Sequence, residues 1–476
     1  MTLPFWIPLS VELWLAAVIT TAFICELGLS KSHVKEIALG GILMIFPLAI
    51  FQLNFTGTFL DGMVIIDPLA RCFKVFFALT AILVLLMAQN YERHLKGATN
   101  EMYLLILLAT LGMCMLISSN NFLLLFVSLE TVTLSLYVMT TYLKQDVKSV
   151  EAGMKYLILG AISTAFLLYG IAFLYGFSGS ANISAIQERL LLPDATLTWL
   201  GMGLVFVFAG LAFKIAVVPF HFWAPDVYEG APTPVTAFLS VGSKAAGFAV
   251  ALRLLHPLFQ QGPWANSFLW VATLMAGATI LYGNLVAIPQ KNIKRLLAYS
   301  SIGHAGYLLI GIAVATTTGT AAMIYYLYSY LFANLAIFLV VVTVFNTVGS
   351  DEISAYAGLS RRSPLLAATM FVSLLSLAGV PPLAGFMGKF LLLWSAVQRD
   401  LLWLVIVGAI AVVISLYYYL MLIKQMYVEE PTETSAITVP ATTKITLYVC
   451  MAATLLLGIY QAPFLKLSLE SVRDLF

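Results

Sequence analysis

Long apolar runs, separated by short polar breaks, recur along the whole chain. A membrane-crossing helix needs ~20 apolar residues. On that rule the runs predict helices near 8–29, 36–53, 69–89, 102–118, 121–143, 152–176, 197–222, 232–256, 266–289, 293–315, 319–346, 364–398, 401–426 and 441–462. The run 364–398 is too long for one plain crossing. Within it "LAGVPPLAGFMGKF" places Pro381 and Pro382 among Gly379, Gly385 and Gly388, which predicts two half-helices. A second interruption is expected in "FKIAVVPFHFWAPDVYEG" (213–230). Here Pro219 lacks a donor and crowds the carbonyl of Ile215, loosening the turn beside Lys214. Backbone opened at membrane depth survives only inside protein or along a wet cavity. The polar stretches 177–196 and 427–444 read as surface loops, and no soluble domain is visible. The predicted fold class is an all-α polytopic membrane protein of about fourteen transmembrane helices in a single transmembrane domain, 1–476. Internal repetition is faint: "KYLILGAISTAFLLYG" at 155 and "YYLYSYLFANLAIFLV" at 325 share little beyond Tyr-Leu at an offset of 170.

Composition agrees with the pattern. The chain is 61% hydrophobic and 10% charged, against roughly 25% charged in a soluble domain, so it cannot cover its own surface in water. A net charge of +2 gives no reason to expect a nucleic-acid partner. Cys25, Cys72, Cys114 and Cys450 are scattered, with no CxxC or Cys/His cluster for an iron–sulfur, zinc or haem site. "GMGLVFVFAG" (201–210) lacks the third glycine of a dinucleotide loop and lies inside an apolar run. The start, "MTLPFWIPLS", has no basic leader region, so the first run is expected to be retained. Lysine and arginine number thirteen in the odd-numbered connections, Lys31 and Lys96 among them, and seven in the others, where Arg71, Lys74 and Arg253 were counted. That bias predicts both termini outside the cytoplasm.

Charges inside the apolar runs are the candidate chemistry. Glu130 sits nine residues from the polar end of its run, roughly 13 Å deep at ~1.5 Å per residue. Lys214 lies at similar depth, Lys244 near the middle of the next run, and Lys389 in the broken one. An intramembrane charge costs at least ~2.5 kcal/mol and marks an ion or proton path by default. Desolvation favours a neutral amine and a nearby carboxylate favours the ammonium. Motion of Glu130 relative to Lys214 would therefore switch the lysine between holding and releasing a proton. Structural roles compete at each position. Lys155, four residues after Glu151, can snorkel to the surface. His221, seven residues from Lys214 and so on the same helical face, can be an interfacial hydrogen-bonder, and His304 in "YSSIGHAGY" a packed one. Glu130 with Lys214 can be a static pair, and Asp226 and Glu229 caps or loop partners.

Three segments, "GLAFKIAVVPFHFWAPDVYEGAPTPVTAFLSVGSK" (210–244), "NIKRLLAYSSIGHAGY" (292–307) and "SLAGVPPLAGFMGKF" (376–390), resemble the antiporter-like proton-translocating subunits of respiratory complex I, in the N-type form. The resemblance spans about residues 100–425 and implies two inverted five-helix repeats, 100–256 and 266–426, each with a broken helix. The N-terminal spans (1–95) and the last span and tail (441–476) lie outside them. It further implies a midplane line of charge and water through Glu130, Lys214, Lys244 and Lys389, and it matches Lys155 to a further lysine of the family. No cofactor is implied for this chain. NADH, FMN, iron–sulfur clusters and quinone belong to partner subunits, with M- and K-type chains as neighbours in a bacterial inner membrane. The rivals are a cation/proton antiporter subunit of the Mrp type, a membrane subunit of an energy-converting hydrogenase, a non-pumping scaffold, and a self-sufficient transporter.

Overall fold

The computed structural model describes residues 7–29, 33–95, 99–190, 197–260, 265–431 and 435–475. Lys31 and Lys96, counted above in the orientation bias, lie outside them. Among the described residues, twelve helices are long and apolar enough to cross a bilayer. The first are α1 (Ser10–Ile24), α2 (Val34–Leu43) running on through α3 (Ile45–Phe51), α4 (Pro68–Asn90) and α5 (Thr99–Ser118). A small antiparallel hairpin, Gly57–Phe59 with Val64–Ile66, precedes α4; the apolar pattern did not announce it.

Next come α6 (Phe122–Thr140), α7 (Val147–Ser178), α8 (Ile183–Leu190), α9 (Leu197–Lys214) and α10 (Trp223–Gly230). Helix α8 corrects the expectation of a plain loop over 177–196. Helix α11 (Thr233–Phe238) passes through a π-helical turn, Leu239–Ser243, into α12 (Lys244–Gln260). The rest are α13 (Ala265–Ala287), α14 (Ile293–Ala313), α15 (Thr317–Val348), α16 (Leu359–Arg362), α17 (Pro364–Ala378), α18 (Ala384–Val397), α19 (Leu402–Tyr427), α20 (Ala441–Ile459) and α21 (Ala462–Ser471). Twelve crossings and two interrupted elements, α9–α10 and α17–α18, make fourteen only if each interrupted element passes once through the membrane.

Local chemistry fixes the ends. Asp67, Asn121, Asp146, Asn292 and Thr316 cap α4, α6, α7, α14 and α15 by accepting backbone N–H bonds at 2.7–3.1 Å. Helices α7 and α15 begin 170 positions apart, are each 32 residues long, and each ends on a left-handed glycine, Gly179 or Gly349. Asn121 bridges to Asn182 and Asn292 to Glu352, tying the start of α6 to the segment after α7 and the start of α14 to the segment after α15. The faint internal similarity in sequence is thus accompanied by a repeated geometry.

Burial sorts the helices into an inner and an outer set. Helix α14 is buried on every side and α12 nearly so, whereas α1, α7, α19 and α20 bury about a third of their length. An apolar helix that faces lipid needs no polar side, so it shows no amphipathic stripe. The inner set carries the hydroxyls, imidazole and amines described next.

Candidate functional site

The first break lies earlier than the proline alone suggested. Helix α9 ends at Lys214, Ala216 takes a left-handed conformation at φ 56°, and the Val218–Pro219 bond is cis. The expected helix over 197–222, with a loosened turn at Ile215, is corrected. Pro219 disfavours helix for the residue before it, so the chain leaves the helix ahead of the proline. Freed backbone groups find side chains: Trp223 Nε1 donates to the Phe213 carbonyl at 2.9 Å, and Val218 N donates to Thr279 Oγ1 at 3.0 Å. His221 follows the break, so it does not share a helical face with Lys214. Its ring is buried against Tyr282 and Phe222, and neither ring nitrogen has a hydrogen-bond partner.

Lys214 is buried, and its Nζ has no hydrogen-bond partner; the Phe213 ring centroid lies 5.9 Å away. Glu130 is half-buried on α6 and accepts from Thr164 Oγ1 on α7 at 3.0 Å. The two are not ion-paired with each other. Gly247, one turn beyond Lys244, fits directly against Ile215 and Lys214: a Cβ there would lie 2.7 Å from Ile215 Cγ2 and 3.6 Å from Lys214 Cβ. This packing brings the end of α9 against the start of α12.

Lys155 joins a different group. Its side chain is 41% exposed, and Nζ contacts Glu151 at 2.7 Å and Asp226 at 2.6 Å. Arg295 bridges Asp226 and Glu229 at 2.8 and 3.0 Å, and Lys148 meets Glu229 at 3.0 Å. Burial alone would push the Asp226 and Glu229 carboxyls up. The hydrogen bonds and charges of Lys155, Lys148 and Arg295 outweigh it and hold both below the ordinary carboxylate range. The snorkelling expected of Lys155 is what its side chain does: one turn from Glu151, it reaches the charges of Glu151 and Asp226.

Helices α12, α14, α15 and α19 bring two hydrogen-bonded polar clusters side by side. Lys244, directly after the π turn, donates to the Ser301 carbonyl at 2.6 Å and to Ser301 Oγ. Tyr330 OH donates to the same Oγ at 3.0 Å, and the Tyr330 ring lies 5.2 Å from that of His304. His304 Nδ1 pairs with Tyr326 OH at 2.7 Å and Nε2 with Tyr419 OH at 3.2 Å; Tyr419 also meets Ser300 Oγ. Gly388 fits against the Tyr326 ring, so that ring separates His304 from the half-helix that carries Lys389. Lys389 donates to the carbonyls of Leu377 and Ala378 at 2.7 and 3.2 Å and sits 4.9 Å above the Tyr307 ring. Those carbonyls are free because α17 ends in left-handed Gly379 ahead of Pro381 and Pro382. Hydroxyl and neutral imidazole groups both donate and accept, so each cluster can pass a proton between its own members, and the Tyr330 and His304 rings meet between the two clusters. No group of three potential metal ligands occurs among the described residues.

One buried pair was not foreseen. Glu12 on α1 and Lys74 on α4 form a 2.8 Å ion pair with side chains 5% and 0% exposed; Ser118 donates to Glu12 at 3.3 Å and Lys74 to Gln52 at 3.5 Å. Lys74 had been assigned to a surface connection; it is inside α4. Arg253, assigned likewise, makes a bidentate bond to Asp67 at 2.9 and 3.1 Å. The sequence signals for the first pair were a glutamate near the start of the run 8–29 and a lysine near the start of the run 69–89.

A family model described as "NADH:quinone oxidoreductase/Mrp antiporter, TM" matches residues 119–415. NADH-quinone oxidoreductase subunit N of Desulforamulus reducens is 43% identical over 92% of this chain and 91% of its own length. A chain of respiratory complex I from Thermus thermophilus with bound aureothin superposes with TM-score 0.82 at 32% identity, covering 96% of this chain and 98% of that one. A chain of the membrane-bound sulfane sulfur reductase, an archaeal respiratory membrane complex, superposes with TM-score 0.91 at 26% identity, covering 98% and 97%. Broken helices, buried lysines and near full-length similarity agree: this chain belongs to the NADH:quinone oxidoreductase/Mrp antiporter membrane family, with its closely similar relatives among the N subunits of NADH-quinone oxidoreductase.

Proposed function

We propose that the chain translocates protons as a membrane-arm subunit of a bacterial NADH-quinone oxidoreductase, along a buried line that runs from Glu130 past Lys214 and Lys244, through Ser301, Tyr330, His304 and Tyr326, to Lys389. The observation that supports the reading is the pair of hydrogen-bonded polar clusters on α14 and its neighbours between two buried lysines, one joining Lys244, Ser301 and Tyr330 and the other joining Tyr326, His304 and Tyr419. Lipid-facing helices have no use for such clusters, and buried polar groups at membrane depth are costly unless they serve transport. Water entering at the two breaks joins the stretches that side chains do not span, chiefly Glu130 to Lys214. The chain acts as a non-redox subunit. NADH oxidation and quinone reduction occur in partner subunits, which hold the flavin, iron–sulfur clusters and quinone, and M- and K-type chains flank it. Both termini lie on the outer face, and the segments α5–α12 and α13–α19 act as two halves of opposite orientation.

Glu130→Gln in the assembled complex tests this directly, since glutamine keeps the acceptor for Thr164 and loses the charge. Expected are normal assembly, normal uncoupled electron transfer, and a lower ratio of protons pumped per electron pair. An unchanged ratio would favour the scaffold reading. Sodium-dependent transport in place of proton transport would favour the Mrp-type one.

A further inference from the structure

A cleft of about 1160 Å³ opens where the segments 91–95, 141–148 and 229–231 and residue 351 gather, on the lysine-rich side of the protein. Its lining changes with depth. Phe23 of α1, Leu105 and Leu108 of α5 and Val138 of α6 form an apolar slot between helices; Phe23, Leu108 and Val138 remain 51%, 36% and 52% exposed. Leu108 lies nine residues along α5 from its surface end at Thr99, about 13 Å at ~1.5 Å per residue. Half of the ~30 Å hydrocarbon layer is about 15 Å, so the slot is as deep as one leaflet.

At the mouth the lining turns ionic. Lys144 is exposed there, and Glu101, Asp146 and Asp351 line the same opening. Lys148 and Lys294 also line it but are already engaged, with Glu229 at 3.0 Å and with Asp351 Oδ2 at 3.2 Å. Asp351 Oδ1 is buried and has no hydrogen-bond partner. Among the described lining residues, the mouth thus sets the exposed Lys144 beside the carboxylates of Glu101 and Asp146.

We propose that this cleft seats one glycerophospholipid with a primary-amine zwitterionic headgroup, of the phosphatidylethanolamine type. One acyl chain fills the slot between α1, α5 and α6, the phosphate lies at Lys144, and the ammonium donates to Glu101 and Asp146. An anionic headgroup would meet the carboxylates unfavourably, and a choline headgroup has no N–H to donate to them. A water-soluble metabolite would leave the slot unused, and the volume exceeds the ~300–1,000 Å³ usual for such ligands. This proposal stands apart from the proton line and does not depend on it.

The test uses the assembled, detergent-solubilised complex incubated with vesicles of phosphatidylethanolamine bearing a diazirine in one acyl chain. Expected is photolabelling of this chain at the slot residues of α1 and α5. Unlabelled phosphatidylethanolamine should compete about tenfold better than phosphatidylglycerol or phosphatidylcholine, equivalent to ~1.4 kcal/mol of headgroup preference. Leu105→Trp, which fills the slot, should remove the labelling. No label at the slot in the unaltered complex, or equal competition by the three lipids, overturns the proposal whatever the variant does.

Discussion

Two broken helices each set a lysine at membrane depth, and they hold it differently. Lys214 is the last residue of α9, so its charge stands at the negative end of its own helix. Beyond that general field it has only an aromatic neighbour. Lys389 sits one turn into α18 and reaches back to two carbonyls that α17 leaves open, beneath the Tyr307 ring. The first amine is buried with no hydrogen-bond partner; the second is bound by two carbonyls. A relay needs both kinds of site, one that changes partners and one that keeps its geometry. The contrast assigns the first role to the half containing Glu130.

The largest effects should come from the two lysines themselves. Lys214→Ala and Lys389→Ala are both expected to abolish proton pumping in the assembled complex, measured as acidification of vesicles during NADH oxidation. Stability should separate them. Lys389→Ala removes two charge-assisted hydrogen bonds, about 2 kcal/mol in a membrane setting, and should lower the temperature at which the complex dissociates. Lys214→Ala removes a buried amine without partners and should leave that temperature unchanged or raised. Equal destabilisation by both variants would mean that Lys214 has a fixed partner after all.

Outside both halves, the Glu12–Lys74 pair asks whether burial or specificity dominates. Removing one member leaves an uncompensated buried charge, at a cost of ~3–5 kcal/mol, whereas replacing both with apolar residues is often neutral. Lys74→Met should therefore prevent stable incorporation of the chain, and Glu12→Leu together with Lys74→Met should restore it, as seen by native gels. If the double variant is as poor as the single one, the pair fixes how α1 sits on α4.

These examples also show what is readable from sequence and what is not. Apolar run length and end chemistry located nearly every helix, because a bilayer demands both. Depth within a run singled out Lys244, Lys389 and His304 as buried. Depth failed for Lys74 and Arg253, whose partners Glu12 and Asp67 are distant in sequence. The tyrosines around His304 and Ser301, namely Tyr326, Tyr330 and Tyr419, were invisible for another reason. A tyrosine in an apolar run reads as ordinary membrane aromatic until the fold turns its hydroxyl toward an imidazole.

A smaller effect sharpens the picture of the bound half. Ser301→Ala removes one of two acceptors from Lys244 and the only listener for Tyr330 OH, while the backbone carbonyl stays. A hydrogen bond to a charged group contributes roughly 1.5 kcal/mol or more, so the pumping rate should fall about tenfold with electron transfer kept by uncoupler. Ser301→Thr, which keeps the hydroxyl, should recover most of it. Equal loss in both variants would point to packing along α14 as the cause.

The smallest effect is expected where the structure places a surface charge. Lys155 is 41% exposed and shares Asp226, itself 33% exposed, with Arg295. Exposed pairs contribute ~0–1 kcal/mol, and Arg295 remains when Lys155 is removed. Lys155→Ala should therefore reduce pumping much less than Lys214→Ala does, and its effect should shrink further in high salt, which screens exposed charges. The sign of the pH dependence follows from the carboxyls. Asp226 and Glu229 are held below their ordinary range in the folded chain, so the stabilisation they provide is full above the ordinary carboxylate range and fades as pH falls through their lowered values. Across neutral and mildly acidic pH, Lys155→Ala and the unaltered chain should then show parallel pumping profiles. A neutral-pH break in the profile that Lys155→Ala abolishes would return this lysine to the proton line and make the two halves alike.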